Sequence, residues 1–509
     1  MASALTWAGP PALAQDLPAP VLQALATARL PASALAVSAL PLHNDALPWG
    51  WQATRAMQPG SSMKVVTSIV ALDRLGPNHR GFTELRSAAA LAEGTLQGDL
   101  TLVGGGDVEL GLPQLWSLLV DLQHAGVRHI AGNLLLDRTR YRPARPDLGA
   151  PPFDTTPEFP YNVIPDALNL AGSLLPLELR ATSTGVEAST VPRLPGLVLD
   201  SRMALVDARC QDWSDHWKPA AVTRDGANVA FTLHGAFPHG CTVRTELQLL
   251  DRTELAERLF RQLWQGLGGS WSGRALEQAS PAGARVLARR VGRPWGELLR
   301  HQNKQSDNAW TRVLFLELGA ARRAAEPDRA PASDTAELAA QTVRDWFAEQ
   351  GISSAGLVMD NGSGLSRSER ISPFQMAQLL VAASRGRHAA DLAMSLPTVG
   401  VDGTMRNRLK ESPATGWARL KTGTLRNVVA LAGYVTDPQG RPWAVSMVIN
   451  DDEGASRGRP VLDALVDHIA RVGVPQGSWV GPGEMAAGEI AAGGFGPGAD
   501  SLSLRVQRR

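Results

Sequence analysis

Lysine is scarce in this chain. Among 50 basic residues only five are lysines, Lys64, Lys218, Lys304, Lys410 and Lys421. Long hydrophobic runs are missing too. None reaches the ~18 apolar residues of a membrane helix, so no transmembrane segment is expected. Net charge is close to zero, with 50 basic residues against 49 acidic ones. No basic stripe stands out, and nucleic acid is not expected as a partner. There are two cysteines, Cys210 and Cys241, and no Cys/His cluster with zinc spacing. His-Glu-x-x-His and G-x-x-x-x-G-K-[ST] are also missing, so neither a metal nor another cofactor is expected. Gly104-Gly105-Gly106 reads as a turn, not a phosphate cradle. No internal repeat is visible.

What is present describes a globular protein. Its 509 residues are 44% hydrophobic and 19% charged, which suits roughly two to four domains with real cores. Ala12-Leu13-Ala14 before Gln15 has the form of an export cleavage site, although the usual positive segment ahead of it is missing. Residues 1–14 therefore read as a signal remnant, with an ordinary Ala/Pro-rich tail as the alternative. The two cysteines are either a reduced buried pair or, in an exported protein, a disulfide.

Periodicity divides the chain. Pro18 to Ala28 has a helical pattern, and Ala34 to Leu40 and Leu47 to Thr54 read as short strands. Pro59-Gly60 breaks the chain. A helix is expected from Ser61 to Leu75, with Val66, Ile69, Val70 and Leu75 on one face. From residue 80 to 285, short alternating runs such as 134–138, 175–180, 229–234 and 242–249 predict a strand-rich insertion of one or two nested subdomains. It is interrupted by helical patterns at 112–125 and 254–267. Helices then resume at 295–300, 310–318 and 335–350. A fourth starts at the capping box Ser372-Pro373-Phe374-Gln375. The runs 419–424, 428–436 and 443–450 predict an antiparallel meander. An amphipathic helix over 460–472 could lie on it. The expected architecture is α+β. Residues 15–79 and 286–475 form one helix-plus-sheet domain, split by the 80–285 insertion, and 476–509 is a loose Gly/Ala-rich tail.

Three short motifs carry chemistry. Ser61 and Lys64 form S-x-x-K at a helix start, where positions i and i+3 share a face. A serine hydroxyl needs a base to become a nucleophile. Lysine can be that base once desolvation or nearby positive charge lowers its pKa. Arginine cannot, because it keeps its proton. An arginine-rich chain thus retains lysine where a neutral amine is needed. The structural alternative is a capping serine and a solvated lysine. Ser306-Asp307-Asn308 lies in a polar break between helices. By itself it reads as an N-cap; in a site, Ser306 could relay a proton and Asn308 hold a carbonyl. Lys421-Thr422-Gly423-Thr424 lies on a strand. Gly423 would permit close approach of a ligand backbone, and the threonines could bind a carboxylate. The plain alternative is an ordinary β strand.

In the order S-x-x-K, S-D-N, K-T-G the three motifs gain specificity. PGSSMKVVTS, QSDN and LKTGT resemble the three elements of class C low-molecular-weight penicillin-binding proteins, the D-alanyl-D-alanine carboxypeptidases/endopeptidases of the penicillin-binding protein 4 type. Asp360 to Arg367 (DNGSGLSR) resembles that family's D-G-S-G-L-S-R stretch, with Asn361 added. Leu396-Pro397 followed by Asp402-Gly403-Thr404 resembles its L-P…D-G-[ST] stretch. The likeness spans about residues 16–473. Ser61 and Ser306 are 245 positions apart, matching the family's large insertion. A class A β-lactamase needs far fewer, and no match to its deacylating Glu is seen.

The resemblance implies a penicillin-recognising transpeptidase-like fold. It implies Ser61 as nucleophile, Lys64 as base, and Ser306, Asn308 and Lys421 as further catalytic groups. Thr422, Gly423, Thr424 and Arg367 would bind substrate. Peptidoglycan stem peptides and cross-links would be the substrates, and β-lactams covalent inhibitors. The location would be periplasmic, with loose membrane association left open. Another serine hydrolase on this fold, a β-lactamase or esterase, is the runner-up. A non-catalytic wall-binding protein is the reading from a different class.

Overall fold

The computed structural model describes residues 17–43, 46–326 and 333–475. The expected signal remnant at 1–14 and the tail at 476–509 lie outside the described residues.

The two ends of the chain build one sheet. Its five strands run in the order Arg419–Leu425, Val428–Thr436, Pro442–Asn450, Leu35–Pro41, Trp49–Trp51, all antiparallel. The run Val428-Val429-Ala430-Leu431-Ala432 has no polar alternation because both sheet faces are covered. Val429, Leu431 and Val435 face a core shared with Val461, Leu462, Leu465, Val466 and Ile469 of the helix Arg459–Arg471. The N-terminal helix Ala19–Ala28 packs on the same side through Val21 and Leu25. Ala432 and Ala444 face the opposite core, with Val66 and Ile69 of Lys64–Arg74, Phe315 of Asn308–Ala325 and Met376 of Pro373–Arg385. A hydrophobic layer on each side thus fixes the sheet's position; each buried aliphatic side chain contributes about 1.5–3 kcal/mol. Arg419–Leu425 is left as an edge strand.

The segment between these parts has its own core, including Leu102, Leu119, Leu136, Phe231, Phe260 and Trp264. A five-stranded sheet runs Ala275–Glu277, Leu134–Asp137, Leu100–Gly105, Phe82–Ser87, Arg285–Val291. Sheet pairing keeps Arg285–Val291 with Phe82–Ser87, a few residues past the expected junction at 286. Three smaller sheets complete the segment. Cys210 and Cys241 are joined in a disulfide, with Cα atoms 5.7 Å apart.

Local expectations and structure differ in instructive places. Gly104 and Gly105 end a strand instead of forming a turn. A Cβ on Gly104 would lie 2.5 Å from the Ala167 backbone, so these glycines serve chain packing. The Ser372 capping box is present, with Ser372 Oγ accepting from Gln375 N at 3.1 Å. The short helix Ala389–Ser395 was not expected; seven residues give too little periodicity to read. Among the described residues, no helix is long and apolar enough to cross a membrane.

Candidate active site

The serine turn is tighter than an α-helix. Gly60–Met63 is a 3₁₀ turn, and the α-helix starts at Lys64, not Ser61. In 3₁₀ geometry positions i and i+3 eclipse, which aligns Ser61 with Lys64 more closely. Lys64 Nζ lies 3.0 Å from Ser61 Oγ, 2.6 Å from Asn308 Oδ1 and 2.5 Å from the Ser363 carbonyl oxygen. A neutral amine has two hydrogens and one lone pair. Asn308 and Ser363 offer acceptors for both hydrogens, leaving the lone pair for the Ser61 hydroxyl. Lys64 is fully buried. Desolvation, and next the Lys421 charge, hold its pKa well below the usual lysine range.

The second motif lies between two helices. Trp295–Gln305 ends at Ser306, which adopts left-handed backbone angles of φ 60° and ψ 40°. Such a conformation costs a non-glycine residue roughly 1 kcal/mol or more. Asp307, not Ser306, is the cap of the next helix, and its carboxylate accepts from Trp310 N at 2.9 Å. Burial raises the Asp307 pKa. Asn308 opens that helix, and its Nδ2 donates to the Tyr161 carbonyl at 2.9 Å. Tyr161 belongs to the insertion, so the insertion helps hold the Asn308 side chain in place.

The third motif comes from the edge strand. Lys421 Nζ lies 2.8 Å from Ser306 Oγ and 2.9 Å from the Thr422 carbonyl. Burial lowers its pKa from 10.5 to about 7, so the amine can exchange a proton near neutrality. Gly423 does permit a close approach, but by the chain itself. A Cβ there would sit 2.3 Å from the Pro59 carbonyl and 3.0 Å from Ser62 N. The strand is thereby drawn against the serine turn, placing Thr424 N beside Gly60. Thr424 lines the cleft. Thr422 is turned to Thr404, with its hydroxyl donating to Thr404 Oγ1 at 2.8 Å.

Ser61, Ser306 and Asn308 open into a cleft of about 560 Å³. Phe153, Asp154, Thr155 and Tyr161 of the insertion line it together with Arg367. Arg367 Nη2 donates to the Phe153 carbonyl at 2.8 Å, with the guanidinium 5.0 Å from the Phe153 ring centroid. The three motifs and Arg367 therefore meet in one place. Four contributors were missed by sequence reasoning: Ser363, Tyr161, Thr404 and Glu369. Ser363, Glu369 and Thr404 sit in or beside the D-N-G-S-G and D-G-T stretches, but only the fold brings them to the site. Tyr161 has no local signal.

A buried lysine with a lowered pKa beneath one serine, a second lysine–serine pair opposite it and a cleft on a sheet edge define a serine acyl-transfer enzyme of the penicillin-recognising class. The chain belongs to the D-Ala-D-Ala carboxypeptidase 3 (S13) family, whose profile matches residues 17–472. It is a serine-type D-Ala-D-Ala carboxypeptidase. It is 28% identical over 403 residues to the D-alanyl-D-alanine carboxypeptidase DacB of Haemophilus influenzae, covering 77% of this chain and 80% of that protein. It is 28% identical over 429 residues to the D-alanyl-D-alanine carboxypeptidase of Actinomadura sp. strain R39, covering 81% and 76% respectively. In fold it is similar to the crystal structure of penicillin binding protein 4 (dacB) from Haemophilus influenzae. That match has a TM-score of 0.72 and 24% identity and covers 88% of this chain and 98% of that one. The same protein in complex with a novel β-lactam gives a TM-score of 0.70.

Proposed function

We propose that the cleft cleaves the terminal D-alanyl-D-alanine bond of peptidoglycan stem peptides, and the equivalent bond in cross-links, through an acyl-enzyme at Ser61. The carrying observation is the buried Lys64 amine at 3.0 Å from Ser61 Oγ with its other partners already assigned. Lys64 takes the Ser61 proton as Oγ bonds to the carbonyl carbon of the penultimate D-alanine. The carbonyl electron pair moves onto oxygen, where the N–H groups of Ser61 and Thr424 receive it; such a donor is worth ~3 kcal/mol. Ser306, coupled to Lys421, returns a proton to the leaving amine. Asn308 orients the substrate amide. Thr422 and Thr424 bind the terminal carboxylate, and Arg367 contacts the peptide beside Phe153. Water then releases the acyl group.

If the leaving amine belongs to a neighbouring stem, the same chemistry is endopeptidase cleavage. A β-lactam acylates Ser61 by the same route and leaves slowly. A periplasmic location is part of this reading, supported by the peptidoglycan substrate it assigns and by the A-x-A pattern before Gln15. Mass spectrometry of stem peptides and cross-linked dimers incubated with the protein tests this reading. Loss of terminal D-alanine, abolished by Ser61→Ala, is expected. Binding to sacculi with no D-alanine release would refute it.

A further inference from the structure

Glu369 is a fully buried carboxylate that the mechanism above does not use. It lies just after the D-N-G-S-G turn and collects that turn's backbone. Its Oε1 accepts from Asp360 N at 3.2 Å, Asn361 N at 3.0 Å and Gly362 N at 2.7 Å, and its Oε2 from Gly364 N at 2.8 Å. Among the described residues, no Lys or Arg nitrogen makes a direct ion pair with it. Between Gly362 and Gly364 lies Ser363, whose carbonyl takes the Lys64 hydrogen bond at 2.5 Å. Thr67, one turn along the Lys64 helix, donates to the Gly362 carbonyl at 2.7 Å. Gly364 is pressed so closely on the serine turn that a Cβ would fall 1.9 Å from the Gly60 carbonyl. The turn therefore touches the nucleophile segment and the base at once, and one carboxylate sets its shape.

We propose that Glu369 is a positioning residue for acylation. Its locked carboxylate sets the Ser363 carbonyl against Lys64 and, when ionised, favours the ammonium that Lys64 becomes on taking the Ser61 proton. This rests on the Lys64–Ser61 reading above. As Oγ bonds to the substrate carbon, the Ser61 proton passes to Nζ and an ammonium forms in a buried site. Lys421 on the edge strand and Arg312 on the helix Asn308–Ala325 oppose that charge, while Asp307 at the helix cap and Glu369 favour it. Burial, with Asp360 on the same turn, raises the pKa of Glu369 itself, while the N–H groups of Gly362, Asp360 and Asn361 favour its ionised form and Arg312 faces it across the interface. Removing the Glu369 charge should make Lys64 easier to deprotonate but weaker as a base. The geometric and electrostatic roles thus separate in a pH profile.

The test is the second-order rate of Ser61 acylation by a fluorescent penicillin from pH 5 to 10. Wild type, Glu369→Gln and Glu369→Asp are compared, with Lys64→Arg as control. Lys64 titration is followed in parallel by ε-¹³C-lysine NMR, a spectrum simplified by the chain's five lysines. In Glu369→Gln the rising limb and the Lys64 titration should both move to lower pH by about half a unit or more, with a several-fold lower plateau. Glu369→Asp, which keeps the charge on a shorter arm, should recover most of the limb position. A lower plateau with an unmoved limb and unmoved Lys64 titration would reduce Glu369 to a structural role and overturn the proposal. If Glu369→Gln does not fold, carboxyl-¹³C-glutamate NMR of the wild type decides. Glu369 must be ionised across the limb, and a protonated Glu369 there overturns the proposal. Acylation surviving in Lys64→Arg would instead sink the base assignment itself, so the two failures are distinguishable.

Discussion

Lys64→Arg isolates the reason a lysine stands at this position. The substitution keeps a cation and removes the ability to become neutral. Three protein oxygens surround Nζ, those of Ser61, Asn308 and Ser363, at 3.0, 2.6 and 2.5 Å. A guanidinium brings five N–H donors to those three acceptors. Two donors are then left unpaired in a fully buried site, at about 1–3 kcal/mol each. The folded protein should therefore lose a few kcal/mol, a large share of an ordinary domain's stability. Loss of the base adds a separate cost in rate. A positioned general base contributes about 10²–10⁴-fold, equivalent to roughly 3–5 kcal/mol of barrier. Acylation by a fluorescent penicillin, followed by quenched-flow and gel fluorescence with Ser61→Ala as the blank, should fall by at least a hundredfold. Far-UV circular dichroism and a thermal melt establish that the variant is folded at the assay temperature. A folded Lys64→Arg that acylates within tenfold of wild type would refute the neutral-amine mechanism.

Three further outcomes are expected. Glu317, buried on the helix Asn308–Ala325, accepts from Arg140 at 2.6 Å, Tyr141 at 2.5 Å and His79 at 2.8 Å, and its pKa is pushed from 4.5 to about 2. Since the folded value lies below the unfolded one, this stabilisation is complete above about pH 4.5 and is lost as pH falls toward 2. Denaturant melts should show Glu317→Gln less stable than wild type at pH 7 by about 3 kcal/mol, with the gap narrowing below pH 4.5; a constant gap would contradict this. Gly364→Ala, at φ +82° and 1.9 Å from the Gly60 carbonyl, should cost about 2 kcal/mol or more and abolish acylation. A near-normal rate would show that the turn is not tied to Ser61. Cys241→Ser opens a 31-residue loop in the insertion and should lower stability by about 2–4 kcal/mol. Equal melts with and without reductant would show that the bond carries no such load.

Much of the fold could be read from periodicity and turn chemistry. The meander, the helix over 460–472 and the capping box at Ser372 follow from patterns of period 2, period 3.6 and a four-residue signature. Boundaries followed less well. The break between the helices over 295–300 and 310–318 shrinks to Ser306-Asp307, because both helices extend under tertiary packing into polar sequence. The S-x-x-K segment reads as one helix, yet Gly60–Met63 is a 3₁₀ turn. The edge strand packs closely on this turn at Gly423, a long-range contact that no local propensity records.

The residue types alone told which side chains can give up a proton, accept one or attack, and drew attention to Lys64, a lysine three positions after a serine in an arginine-rich chain. Where those groups sit, and which way their pKa values move, follows from packing. Burial lowers the pKa values of Lys64 and Lys421, and burial is a property of the packed layers, not of a motif. Likewise Tyr161 and Ser363 meet the site through backbone carbonyls that every residue type carries. A backbone carbonyl has no signature in a sequence, so its role appears only when the chain has closed around the site.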